Sequence, residues 1–264
     1  MLQKTFGIYD DAVNALEVIV ETGAHHLACW TRDSERTLAF EFFNNEDQSM
    51  NPAELFAEAK QQSELLNRNY IASQCILAHD ECLVTDVALD VPYLQQHARR
   101  LFPGATEGTI ETSTYNNRYF YYTLHAAVAN GMRQFNSRNN YHHKYQQLAS
   151  ASMGANTVYL NFYPSHFTMV VKLDSFRFFV NNYQYKNAED VLYRVLHMLH
   201  TFGYKSNDVS IRVMGLIDTD SSIYKELYAY FPKVATVMVN KNLLLGKAFN
   251  EYPSHYFSSF FNFS

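Results

Sequence analysis

Glycine is scarce in this chain, 9 among 264 residues, about half the usual ~7%. Polyphosphate is held by backbone N–H groups that approach closely only where no side chain intervenes, so few glycines leave little material for phosphate-cradling loops. There is no G-x-G-x-x-G, and Gly246-Lys247 lacks both the earlier glycine and the hydroxyl residue of a P-loop. A G-x-S-x-G nucleophile elbow is missing too. Cys29, Cys75 and Cys82 show no CxxC spacing, which predicts reduced, mostly buried thiols. With a net charge of −5 and no basic run, the chain offers no surface suited to nucleic acid. No stretch approaches the roughly 20 apolar residues that span a bilayer, and the N-terminus carries no signal-type segment. The expectation is a cytoplasmic chain without a membrane partner.

Hydrophobic residues at 47% and charged ones at 18% describe a globular chain, and 20 Tyr with 20 Phe predict an aromatic-rich interior. A length of 264 residues exceeds one domain of ~100–150 and suits two intimately packed halves. In the second half, alternation at period two marks three strands. Val158, Leu160 and Phe162 share a face, as do Phe167, Met169, Val171 and Leu173, and then Phe176, Phe178 and Val180, with Asp174-Ser175 as a tight turn. The period then becomes helical through Val191, Leu192, Val195, Leu196, Leu199 and Phe202, with Asn187 as N-cap, Asp190 in the first turn and Gly203 as C-cap. A strand Val209–Gly215, a helix Ile223–Tyr230 and a strand Lys233–Val239 complete the pattern.

An earlier stretch repeats this plan more loosely, with strands near His26–Arg32 and Thr37–Phe43, a helix near Pro52–Asn67 and a strand near Tyr70–Leu77. It also carries extra elements: a Pro-initiated helix Val91–Leu101, a strand Tyr119–His125 and further helix over Ala126–Ser152. The N-terminal segment 1–22 is ambiguous, since Val13, Leu16, Ile19 and Val20 fit a helical stripe while Glu-Val-Ile-Val fits a strand. The expected organisation is 1–22 as an undetermined segment, 23–152 as the first domain and 153–264 as the second, ending in an aromatic tail.

The run from Val158 to Val234, with its Asn181-Asn182 turn, the Glu189-Asp190 pair opening the Leu-Tyr helix and the strand ending in Met214-Gly215, resembles the DUF3822 proteins of Bacteroidetes. The C-terminal YPSHYFSSFFNF carries the same resemblance, which is strongest over Thr157–Ser264 and looser over Leu27–Leu101. It implies an α/β chain with the actin-like ATPase (ribonuclease H-like) fold, two structurally related domains arising by duplication, and no assigned activity or substrate.

An active site of that fold needs glycine-lined hairpin turns and carboxylates that position Mg²⁺. In the second half the first hairpin should read Asp-x-Gly-Gly, and here Asn161, Phe162, Tyr163 and Pro164 occupy it. The acid has become an amide, one glycine a bulky ring, and the other a residue without an N–H. In the first half the turn is expected at Cys29-Trp30-Thr31-Arg32-Asp33, again without glycine. Gly215 is retained after the later strand, but Leu216 follows it. Trp30, Thr31, Asn161, Tyr163, Pro164 and Gly215 therefore mark degenerate nucleotide-loop positions, with no cofactor, no metal and no catalytic residue expected.

Three other signals have bland explanations. Asp218-Thr219-Asp220 after an apolar strand resembles a phosphatase nucleophile-acid pair, but 218–221 also suits a turn and N-cap. Asp33 suits a turn that bonds its own backbone better than a metal ligand. Among the 11 His, His197 and His200 lie at i, i+3 on the polar side of a helix, and the pairs His25-His26 and His142-His143 diverge on strands. The C-terminal Tyr252, Tyr256, Phe257, Phe260, Phe261 and Phe263 form the densest aromatic cluster, and Tyr256, Phe257, Phe260 and Phe261 are the candidate surface for a protein partner if the tail is not packed onto the chain's own sheet. Two functions remain: a non-catalytic scaffold or protein-interaction module, and a divergent ATPase or small-molecule kinase holding phosphate with Arg32, Asn161 and Asp218.

Overall fold

Continuous apolar runs such as Val18-Ile19-Val20 and Leu38-Ala39-Phe40 form strands buried on both faces. They organise the computed structural model of the chain, which describes residues 2–10, 16–34, 36–46, 50–102, 108–135, 140–150, 154–173, 178–240 and 243–262. The chain divides into two units, Met1–Gln147 with Leu243–Phe249, and Leu148–Asn242 with Asn250–Ser264.

In the first unit the elements run β1 (Leu2–Tyr9), β2 (Glu17–Thr22), β3 (His26–Arg32), β4 (Arg36–Asn45), α1 (Pro52–Gln62), β5 (Ala72–Leu77), β6 (Cys82–Thr85), α2 (Val91–Leu101), β7 (Gly108–Tyr115), β8 (Arg118–His125), α3 (Ala126–Arg133), β9 (Asn140–His143) and α4 (Lys144–Ser150). The main sheet has the order β1-β4-β3-β2-β5-β9, with β2, β3 and β4 antiparallel and β5 and β9 added in parallel. A smaller antiparallel sheet, β6-β8-β7, is covered by α2, whose Leu94 and Ala98, with Phe102 just beyond, pack against Ile110 and Tyr121.

The second unit contains β10 (Thr157–Phe162), β11 (His166–Lys172), β12 (Phe178–Gln184), α5 (Ala188–Phe202), β13 (Ser210–Gly215), α6 (Ser222–Tyr230) and β14 (Val234–Thr236), and, after β15 (Leu244–Leu245) of the first unit has paired with β4, α7 (Ser258–Phe261). Its sheet order is β12-β11-β10-β13-β14, again an antiparallel meander followed by two parallel strands. Val191, Val195 and Leu199 of α5 bury against Leu160, Phe167, Met169 and Val171. The two sheets are equivalent strand by strand, β2 with β10, β3 with β11, β4 with β12, β5 with β13 and β9 with β14. Both helices that follow the meander start on an asparagine cap: Asn51 accepts from Ala53 and Glu54 N–H, and Asn187 from Asp190 N–H.

Several expectations need correction. Ala126–Ser152 is not one helical stretch, because Asn140–His143 pairs in parallel with β5 between α3 and α4, and the sheet partner overrides the local helical pattern. The first long helix ends at Gln62, where Ser63 caps it, and β14 stops at Thr236. The described part of segment 1–22 holds two strands, Leu2–Tyr9 and Glu17–Thr22, the latter inside the sheet between β3 and β5. Val13, the Asp174-Ser175 turn, Phe176, the boundary at 152–153 and Phe263 lie outside the described residues.

Candidate functional site

The resemblance implies that backbone for phosphate would be offered at the hairpin between the first two strands of each meander. In the second unit that hairpin is filled. Tyr163 donates its N–H to the His166 carbonyl at 2.9 Å, stacks on the His166 ring at 4.6 Å and meets Phe260 edge-on. It is 1% exposed, and Pro164 beside it has no N–H to give. Asn161 is buried as well, its amide without a hydrogen-bond partner among the described residues. Gly215 ends the neighbouring strand at φ +84°, and a Cβ there would stand 2.3 Å from the Phe162 carbonyl oxygen and 2.6 Å from Asn161 Oδ1. Glycine at 215 thus serves the close approach of β13 to β10.

The first unit differs from expectation. Trp30 and Thr31 are not turn residues: they sit inside β3, fully buried, opposite Ile19 and Val18. Asp33, after β3, accepts from Arg36 N–H at 2.6 Å, the local backbone bond of a turn aspartate. The displaced register has a simple cause, since β2 precedes β3 and the hairpin falls one strand earlier, at Gly23-Ala24-His25. Gly23 N–H bonds the His26 carbonyl at 3.0 Å, as Tyr163 does with His166. Thr22 lies opposite Leu27 and Leu77, and Phe162 opposite Phe167 and Gly215, so Glu21-Thr22-Gly23-Ala24 is the counterpart of Asn161-Phe162-Tyr163-Pro164.

This turn keeps an acid and one glycine, but both are committed elsewhere. Glu21 is fully buried and takes Lys144 Nζ at 2.6 Å and His26 Nε2 at 3.0 Å. Burial pushes its carboxyl upward, yet Lys144 and His26 more than offset that and bring it to about 2. A Cβ on Gly23 would meet the His26 ring at 2.6 Å, so this glycine makes room for a side chain.

The remaining sequence candidates lie in the second unit. Tyr256 donates its hydroxyl to Asp218, and burial, then that carboxylate, push the phenol up to about 12. Ser221 caps α6 by accepting Tyr224 N–H. His197 and His200 are exposed on α5. The aromatic tail is not a free surface: Phe257, Phe260 and Phe261 are at most 2% exposed, with Phe257 and Phe261 stacked at 5.5 Å and α7 lying on β13. The rings finish the chain's own core, which removes Phe257, Phe260 and Phe261 as docking residues.

A cluster that the sequence did not reveal lies at the C-terminal ends of β5 and β8. His79, Glu81 and His125 line a cavity of about 230 Å³, together with the Gly23–His25 turn and Asp80. His79 Nε2 donates to the Thr123 carbonyl at 3.0 Å, and His143 Nε2 donates to the His79 carbonyl at 3.0 Å. His125 Nε2 is 3.1 Å from Glu81 Oε2, which also accepts the Thr123 hydroxyl. Burial above all depresses the His79 imidazole to about 4. Burial raises the Glu81 carboxyl, but the His125 and Thr123 hydrogen bonds outweigh it and hold the group below its ordinary value. No sequence motif announces this group, because the β6–β8 pairing is what sets Glu81 beside Thr123.

Among solved structures, a Bacteroides thetaiotaomicron VPI-5482 protein with actin-like ATPase fold and unknown function is similar over 84% of this chain and 90% of that one, with a TM-score of 0.66 and 9% identity. The PilM-PilN type IV pilus biogenesis complex is similar over 92% of this chain and 96% of that one, with a TM-score of 0.59 and 9% identity. At such identity the likeness establishes the fold alone, and the fold is that of actin-like ATPases. No curated protein matches the chain. Among the described residues no helix is long and apolar enough to cross a membrane. A family model described as "Protein of unknown function (DUF3822)" matches residues 4–234, and the chain belongs to that family.

Proposed function

We propose that this chain is a non-catalytic protein of the actin-like fold, a scaffold or protein-interaction module whose nucleotide turns have been turned over to packing. The observation that carries the reading is the buried Tyr163-Pro164 turn, which puts a ring and a pyrrolidine where a triphosphate needs bare backbone. The Glu21–Lys144–His26 network supports it from the other unit, since an acid already neutralised by a buried lysine is poorly placed to hold Mg²⁺ and its waters. A structure of similar fold, PilM-PilN, is itself a complex, and by analogy the partner proposed for this chain is a protein. Its docking face lies outside the buried Phe257, Phe260 and Phe261.

The rival, a divergent ATP-binding protein, ATPase or small-molecule kinase, draws on one observation: Gly23 and Glu21 preserve part of the expected turn. Its phosphate-holding residues are otherwise engaged, Arg32 with Glu17 at 2.6 Å and Asp218 with Tyr256. Thermal unfolding with millimolar Mg-ATP separates the two. A ligand at about 100 times its Kd stabilises the native state by ~2.7 kcal/mol. An unmoved midpoint is expected, and a saturable upward shift would overturn the scaffold reading.

A further inference from the structure

We propose that His79, Glu81 and His125 form a binding site for one divalent first-row transition ion, of the zinc type, opening on the cavity beside the Gly23–His25 turn. One ligand atom from each of the three lies within 4.8 Å of the others. Donors about 2.0–2.1 Å from a tetrahedral Zn²⁺ stand roughly 3.3 Å apart. His125 Nε2 and Glu81 Oε2 are already at that spacing, 3.1 Å. Two imidazoles and one carboxylate are a donor set that zinc accepts, and three protein ligands leave a further position open toward the cavity.

The second observation is the state of His79. A carbonyl only accepts, so the proton of a neutral His79 ring sits on Nε2, bonded to the Thr123 carbonyl, and Nδ1 is left as a bare lone pair. Nδ1 is buried and has no hydrogen-bond partner among the described residues. A buried acceptor with no donor calls for an explanation, and a bound ion is one of the recognised ones. An imidazole that ligates through one nitrogen commonly donates through the other to a backbone carbonyl, which fixes the ring and its tautomer. His79 has that arrangement, with His143 holding its carbonyl from behind.

Glu81 is likewise oriented, by the Thr123 hydroxyl. His125 is the member that changes on binding: the ring turns its proton from Nε2, which faces Glu81 before the ion arrives, to Nδ1, and the neutral imidazole takes up the metal through the freed Nε2 lone pair. With its Nε2 held by the Thr123 carbonyl, His79 is left Nδ1 to offer, and His125 offers the Nε2 that faces Glu81, so the proposed site has a signature that differs at its two imidazoles.

The test uses the full chain, stripped with chelator and titrated with Zn²⁺ by calorimetry. One equivalent per chain is expected, with saturable binding lost in His125→Gln and in Glu81→Gln. Thr123→Val, which removes only the hydroxyl that orients Glu81, should weaken binding roughly 10-fold. His197→Ala with His200→Ala should leave it unchanged. Since a variant in the cluster can fail for reasons of folding, the wild-type protein labelled with ¹⁵N-histidine is examined in parallel. Zn²⁺ should shift Nδ1 of one imidazole and Nε2 of another, both assigned to the cluster. Substoichiometric uptake, full affinity in both Glu81→Gln and His125→Gln, or ¹⁵N shifts confined to the exposed His197 and His200 would each overturn the site.

Discussion

The two central hairpins share a backbone and differ in everything that fills it. In each, the residue that opens the turn donates to the carbonyl three positions on, and in each a histidine follows, His26 or His166. Around the first is a buried charge network, Glu21 with Lys144 and His26; around the second are a neutral Asn161 and the Tyr163–His166 stack. One β-meander therefore tolerates either solution, provided the space is filled and the charge balanced. The second turn is filled by the Tyr163 ring and Pro164, whereas the first keeps Gly23 and borders the cavity at His79, Glu81 and His125.

The comparison breaks most visibly at Lys144. Lys144→Met leaves Glu21 buried without its cation, a change expected to cost about 3–5 kcal/mol in urea unfolding, while the double variant with Glu21→Gln should recover much of the loss and so bring the first unit closer to the second. The same pair predicts a pH effect. Glu21 lies below its ordinary 4.5, at about 2 in the folded chain, so its contribution is complete above about 4.5 and is lost as pH falls toward 2. Stability curves across that window should be flatter in the double variant than in wild type, and an unchanged slope would show that Glu21 is not the acid concerned.

Next come the two glycines. Gly215→Ala forces a side chain to φ +84° and into a carbonyl oxygen 2.3 Å away, which cannot rotate aside; a loss of roughly 2–4 kcal/mol is expected. Gly23→Ala meets a side chain, the His26 ring at 2.6 Å, and should cost less, about 1–3 kcal/mol. A reversed order would mean that the Glu21–His26 contact holds its ring more firmly than the sheet holds its backbone. The smallest effect tests what the units have in common: Asn51→Ala and Asn187→Ala each remove an N-cap and should each lower stability by about 1 kcal/mol.

Legibility in the sequence followed the same division. Helix α5 was readable throughout because its apolar stripe, Asn187 cap and Gly203 at φ +77° all agree. The second hairpin was readable because β10 and β11 flank it closely and Pro164 marks the turn. The first was misplaced by a whole strand. Val18-Ile19-Val20 is buried on both faces and shows no alternation, so its pattern does not tell β2 from a helix, and the turn expected from the sequence falls on Trp30-Thr31 inside β3. The short β9 was hidden for a related reason, since its strand character comes from pairing with β5. Composition alone could not say whether Phe257, Phe260 and Phe261 cover the chain's own sheet or a partner.

Local chemistry in the chain settled the order of elements in the second unit, its helix caps and the residues of the Asn161–Pro164 turn, because each of these depends on residues adjacent in sequence. Tertiary structure decided which strand forms the first hairpin, that Lys144 neutralises Glu21, and that His79, Glu81 and His125 meet. Those facts depend on sheet pairing between segments far apart along the chain, where the energy of a contact is set by the partner that folding brings and not by the neighbours a residue was made with.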